Sequence, residues 1–224
     1  MSMDQIRGYA FFDVDDTLIN VKSVFSFQEF WYTHVGEEAE KTAFIDEMNR
    51  LKAANAPWEL MNTRYYSYFA GREVALVEDM AEAWFRKLER ETENLYQTAI
   101  VSRLETHRRE GCEPVFVSGS FPAVLKPSAR RLGVSHILAT RMEAHDGVFT
   151  GRILPPQTIG DGKAEAIRLF LADKPVAAED CYAYGDDISD APMLASVGHP
   201  YAVDGGRDLA DHARAQGWEV LAPR

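Results

Sequence analysis

Only two cysteines, Cys112 and Cys181, occur in 224 residues, and neither belongs to a CxxC pair. That scarcity argues against a disulfide framework or a cysteine metal centre, and both thiols, lying beside apolar runs, are expected in the core. Positive charge is scarce as well, with 24 Lys and Arg against 35 Asp and Glu and a formal net charge of −11. Nucleic acid and an anionic membrane surface both call for a basic face, so neither is expected as the main partner. No apolar run reaches the length of a membrane span, and the polar N-terminus leads straight into the first apolar segment. Neither a signal peptide nor a transmembrane segment is expected, and a reducing cytoplasm is the expected location. Internal repeats and low-complexity segments are missing, and nothing in the composition assigns an oligomeric state. The six histidines, among them His34, His107 and His145, are scattered without metal-ligand spacing.

What the chain does have is apolar content, 46%, enough for a buried core. Tyr9 to Phe12 read as a short buried strand that ends at a carboxylate, Asp13, followed by Asp15 and Asp16. In open parallel sheets the crevice beyond the carboxyl ends of strands is where ligands bind, and Asp13 and Asp15, two apart, both reach into it. Carboxylates this crowded repel one another, so a cation is expected among them. Hard oxygen ligands suit Mg²⁺, which also carries a phosphate on its remaining positions.

Residues 21 to about 90 then change character and give four amphipathic helical segments crowded with aromatics. They are expected to form a small bundle, with the aromatic stripe as its own core. After it an α/β alternation takes over. Pro114 to Val117 is a buried strand leading to Ser118-Gly119-Ser120, followed by a helical stretch interrupted by Pro127. Residues Ile137 to Thr140 and Arg141 to Arg152 fit a hairpin turning at Asp146-Gly147. Lys163 opens a helix, Cys181 to Tyr184 is a strand running into Gly185-Asp186, and a last strand near Tyr201 and a terminal helix from about Asp208 complete the pattern. The fold class expected is α/β, a doubly wound, Rossmann-like parallel sheet with helices inserted after the first strand.

Asp13 and Asp15, Ser118, Lys163, and Asp186 with Asp190 thus combine metal-binding carboxylates, a hydroxyl with flanking backbone N–H groups, and a cation. Phosphoryl transfer depends mainly on positioning and charge neutralisation, and this set supplies both. In order and spacing the set resembles the four motifs of the haloacid dehalogenase (HAD) superfamily of phosphatases. The early helical insertion and the hairpin between the serine and lysine motifs resemble its phosphoserine-phosphatase-like branch, subfamily IB. The resemblance implies a core of residues 1–20 and 93–224, a helical cap of the C1 type over 21–92, and a β-hairpin flap.

It also implies a Mg²⁺-dependent phosphatase acting on a small phosphorylated metabolite. Asp13 would be the nucleophile that forms an aspartyl phosphate, and Asp15 the acid and then the base, with a pKa pulled up toward neutrality. The side chains of Asp13 and Asp186 and the backbone carbonyl of Asp15 would hold the metal, with Asp190 supporting its water shell or the lysine. Ser118 and Gly119 would bind phosphoryl oxygens, and Lys163 would balance charge. The adjacent pair Asp186-Asp187 is the alternative form of the last motif. A phosphotransferase or phosphomutase would share the first half-reaction, and a phospho-accepting or binding protein without turnover is the non-enzyme alternative. One departure bears on substrate: the branch carries a glutamate nine positions after the nucleophile, where this chain has Lys22. Lys22, with Arg64 as a second basic contact, is expected to disfavour phosphoserine and to favour a phosphorylated sugar, polyol or acid.

Overall fold

The computed structural model describes residues 6–206 and 208–223. Strand β1, Gly8–Phe12, is buried along its whole length, as an unbroken apolar run requires when both faces of a sheet are covered. It lies inside a six-stranded sheet with β2 (Cys112–Ser118), β3 (His136–Ala139), β6 (Tyr182–Gly185), β7 (His199–Val203) and β8 (Glu219–Leu221). The order is β3-β2-β1-β6-β7-β8, and every pairing is parallel. Phe12 is level with Phe116 of β2 and Tyr184 of β6, so Asp13, Ser118 and Asp186 leave the sheet along one edge.

Alternation along the strands sends side chains to two cores. Phe12, Phe116 and Tyr184 join one, and Phe11, Val115, Val117 and Ala183 join the other. Helices α5 (Thr98–Arg109), α6 (Pro122–Arg131), α7 (Asp161–Leu171), α8 (Ala191–Ala195) and α9 (Leu209–Gln216) complete the α/β layers. Cys112 and Cys181 are buried free thiols. No helix of the described residues is long and apolar enough to cross a membrane, and residues 1–5 of the polar N-terminus lie outside those described.

Between β1 and α5 come α1 (Ser23–Val35), α2 (Glu38–Ala53), α3 (Trp58–Ser67) and α4 (Val74–Glu91). Their aromatic residues do not form a core of their own. Phe121, just beyond the end of β2, lies 5.7 Å from Phe27, 5.2 Å from Phe69 and 5.9 Å from Tyr66, ring centre to ring centre. One apolar cluster therefore runs from the helical insertion into the sheet layer.

Three local expectations need adjustment. Helix α6 runs through Pro127 without a break, because that residue forfeits a single backbone bond while its neighbours Val124, Leu125 and Ala129 are buried in the cluster shared with α4. The hairpin is narrower than its sequence pattern. Strands β4 (Arg141–His145) and β5 (Val148–Leu154) turn at Asp146-Gly147, both with positive φ, whereas Ile137 to Ala139 pair with β2 in the main sheet. Strand β8 is an addition, since three residues are too short to show a period.

Candidate active site

The backbone N–H of Asp13 still donates to the Tyr184 carbonyl at 2.9 Å, so the carboxylate is fixed by the sheet itself. Beyond it the chain turns sharply: Leu18 and Ile19 N–H both bond to the Val14 carbonyl, and Asp16 adopts φ 66°, a left-handed conformation that aspartate tolerates better than most residues. That turn returns the Thr17 hydroxyl to the sheet edge, where it donates to Asp186 Oδ1 at 2.8 Å across 169 residues of sequence. Through this bond Thr17 orients a site carboxylate.

Lys163, on the first turn of α7, is buried with its Nζ 2.5 Å from Asp13 Oδ1 and 2.6 Å from Asp190 Oδ1. Burial opposes its charge, but Asp13 and Asp190 outweigh that and hold the ammonium well above the ordinary lysine value. The other oxygen of Asp190 accepts the backbone N–H groups of Asp186 and Asp187, each at 3.2 Å, which closes the loop after β6. Gly185 makes that closure possible: a Cβ there would lie 2.6 Å from the Asp190 carboxylate. Asp187 instead caps the following turn by accepting the Ser189 N–H at 3.0 Å.

Asp13, Asp186 and Asp190 each place a carboxylate oxygen within 4.8 Å of the others, all three buried. Burial, then the charges of Asp13 and Asp190, push the Asp186 carboxyl well above its usual range. Three carboxylates face one ammonium, an excess of negative charge that suits a hard divalent cation.

Across from this cluster, Ser118 ends β2 with its Oγ accepting the Ser120 N–H at 3.0 Å. The Gly119 carbonyl accepts from Tyr66 Oη at 2.8 Å and from Asn62 Nδ2 at 3.0 Å, both on α3, and Asn62 Oδ1 in turn accepts from Gln157 at 2.9 Å. Asp15 faces the helices: its Oδ2 accepts the Ser23 backbone N–H at 3.0 Å and the Ser23 hydroxyl at 2.9 Å. With one proton to give, that hydroxyl donates to Asp15 and accepts from Ser120 at 3.0 Å. Asp15 Oδ1 is buried without a hydrogen-bond partner among the described residues. Burial first and the charge of Asp13 second raise the Asp15 carboxyl to about 7, against the hydrogen bonds from Ser23.

Residues 10–195 match the haloacid dehalogenase-like hydrolase family. The chain belongs to the haloacid dehalogenase-like hydrolases. Within that family it is similar to a Mycobacterium tuberculosis protein named a probable phosphatase, 34% identical over 96% of this chain and 75% of the relative. The phosphoserine phosphatase SerB1 of the same organism is 31% identical, over 96% of this chain and 70% of its own length. A crystal structure of a Bordetella pertussis Tohama I protein of unknown function superposes with a TM-score of 0.84 at 26% identity, covering 98% of this chain and 100% of that one. These likenesses set the hydrolase in the phosphoserine-phosphatase-like branch and make it an enzyme of the phosphatase type.

The other residues singled out from sequence fall differently in this HAD hydrolase. Lys22 reaches the same cavity as the aspartates, but its Nζ pairs with Asp16 Oδ2 at 2.9 Å. Arg64 turns outward on α3, pairs with Glu47 at 2.7 Å and does not line the cavity. His107 is a packing residue, its Nε2 hydrogen-bonded to the Tyr184 hydroxyl at 2.7 Å. Asn62, Tyr66, Gln157 and Ser23, which hold the site from outside the motifs, carry no sequence signal that separates them from ordinary helix and loop residues.

Proposed function

We propose that this hydrolase cleaves a small-molecule phosphomonoester, with Mg²⁺, through an aspartyl phosphate on Asp13. The observation that carries the reading is the pairing of a carboxylate locked by Lys163 and the sheet, Asp13, with a second carboxyl two residues on whose pKa lies near 7, Asp15. Asp13 attacks phosphorus, the bond from phosphorus to the ester oxygen breaks, and Asp15 donates its proton to the departing alcohol. Water then attacks the acyl phosphate while Asp15 takes back a proton, releasing inorganic phosphate and the Asp13 carboxylate. Ser118 and Gly119 hold phosphoryl oxygens, and Lys163 holds and aims the Asp13 carboxylate. Residues 21–92 act as a cap over a core of 1–20 and 93–224. The contacts from Asn62 and Tyr66 to Gly119 support that assignment, since they tie the insertion to the phosphate loop.

The buried donor set fits Mg²⁺. The side chains of Asp13 and Asp186 and the backbone carbonyl of Asp15 would hold it, with Asp190 fixing the loop and Lys163. When bound, such a cation neutralises phosphoryl charge and orients the ester. Inorganic phosphate release from p-nitrophenyl phosphate is expected with Mg²⁺, to fall to background in excess EDTA, and to return on adding Mg²⁺. Thr17→Val, which removes the hydrogen bond that orients Asp186, is expected to raise the Mg²⁺ concentration for half-maximal activity about 10-fold or more. Full turnover in EDTA would contradict the metal assignment, and an unchanged Mg²⁺ requirement in Thr17→Val would contradict the role given to that hydroxyl.

A further inference from the structure

The aspartates share a cavity of about 660 Å³ with residues of the helical insertion, far more room than a phosphoryl group occupies. On the insertion side its wall is apolar: Val24 and Phe25 of α1, and Trp58, Met61 and Tyr65 of α3. Two of these are large aromatic side chains left partly exposed. Phe25 is 38% exposed and Trp58 36%, whereas Phe27 and Trp31 of α1 are 0% and 2% exposed. Large aromatic surface left open to water beside a cavity is surface that a ligand can cover. Tyr65 presents its ring rather than its hydroxyl, because that hydroxyl donates to the Val24 carbonyl at 2.9 Å, and the ring meets Phe25 edge to face at 6.2 Å.

The polar groups on this side are already engaged or of one sign. Asn62 is the neutral polar side chain that the helices contribute to the wall, and both ends of its amide are used, on Gly119 and Gln157. Every acidic residue of the wall comes from the sheet-edge loops, while the charged residues that positions 21–92 contribute are Lys22 and Lys52. Lys22 already faces Asp16. To a sugar or polyol the helical insertion offers Asn62, Lys22 and Lys52, with Gln97, Ser189 and Asp204 elsewhere in the wall, and to an ammonium group it offers no carboxylate. A phosphorylated sugar, polyol or acid, the class expected from Lys22, is the competing substrate.

We propose that the alcohol released by this hydrolase carries an aromatic ring, seated against Phe25, Trp58, Met61 and Tyr65, and no ammonium group near it. The inference rests on the phosphomonoesterase reading of the same cavity. Its test compares kcat/KM for phosphates of primary alcohols, which differ little in leaving-group chemistry: 2-phenylethyl phosphate, ethyl phosphate, glycerol 3-phosphate and phosphoserine. Seating a phenyl ring in an apolar pocket is worth about 30-fold or more, so 2-phenylethyl phosphate is expected to exceed ethyl phosphate by that factor and to outrun the other two. Trp58→Ala and Phe25→Ala are each expected to cut the ratio by about 5-fold or more, and Trp58→Phe to retain most of it.

A ratio near one in the parent, or phosphoserine or glycerol 3-phosphate as the better substrate, would overturn the inference. So would a ratio unchanged in both alanine variants. p-Nitrophenyl phosphate with Mg²⁺ separates the two levels. If it is turned over without any ring preference among the alkyl esters, only the aromatic assignment fails. If neither it nor any of the esters is hydrolysed, the phosphatase reading fails and takes the assignment with it.

Discussion

Asp13→Asn is expected to lower hydrolysis of p-nitrophenyl phosphate by about four orders of magnitude or more, the scale on which covalent catalysts fail when their nucleophile is removed. The substitution is close to isosteric, so the comparison isolates charge. An amide oxygen at this position keeps a hydrogen-bond acceptor near Lys163, yet it cannot attack phosphorus as a carboxylate does. Folding is not expected to suffer, because the backbone bond to Tyr184 persists and one buried negative charge disappears from a cluster that has an excess of them. Far-UV circular dichroism and a melting curve check that point. A variant that folds and retains more than about a hundredth of the parent rate would remove Asp13 from the nucleophile's role.

The second large effect separates Asp15 from Asp13 by leaving group. Asp15→Asn removes the proton that an alkoxide needs on departure, and the base that water needs afterwards. Loss of general acid and base catalysis costs about 10² to 10⁴ in rate. The upper end is expected for an alkyl phosphate such as 2-phenylethyl phosphate, and a visibly smaller loss for p-nitrophenyl phosphate, whose phenolate leaves without help. The settings of the two carboxyls support giving this part to Asp15 rather than Asp13. Asp15 has one buried oxygen without a hydrogen-bond partner among the described residues and a carboxyl raised to about 7, whereas Asp13 is clamped to a buried ammonium. Equal losses for both esters would mean that Asp15 serves only to hold Ser23 and the start of α1.

How far these residues could be read from the chain depends on whether their signal is local. Asp13, Ser118 and Asp186 were legible because each ends, or directly follows, an apolar run, and parallel pairing must bring such ends to one edge. Lys163 was legible as a lysine opening a helix after a turn. The Asp146-Gly147 turn was legible because both residues suit positive φ, and both adopt it. What sequence could not display is contact at long range. Tyr66 and Asn62 reach the Gly119 carbonyl from 53 and 57 residues away, and nothing in an aromatic helical stripe marks which tyrosine turns toward the sheet.

Lys22 and Arg64 each have an acidic partner that the sequence does not mark as such. Lys22 and Arg64 stand out in the sequence as basic residues on the insertion, but a side chain's partner decides what its charge is available for. Asp16 answers Lys22, and Glu47 draws Arg64 to the outside. The aromatic stripe, expected to be wholly core, divides as well: Phe27, Tyr66 and Phe69 pack around Phe121, while Phe25 and Trp58 face the cavity.

The central claim is a covalent phosphoryl group on Asp13, and chemical trapping tests it most directly. The enzyme is mixed with substrate and Mg²⁺, quenched in acid during turnover, reduced with borohydride and digested for peptide mass spectrometry. An acyl phosphate is reduced to an alcohol under conditions that leave free carboxylates untouched, so the account expects homoserine at position 13 in a fraction of molecules that depends on substrate. Aspartate alone at position 13 in an enzyme caught turning over, or homoserine at a different acidic residue, would contradict it.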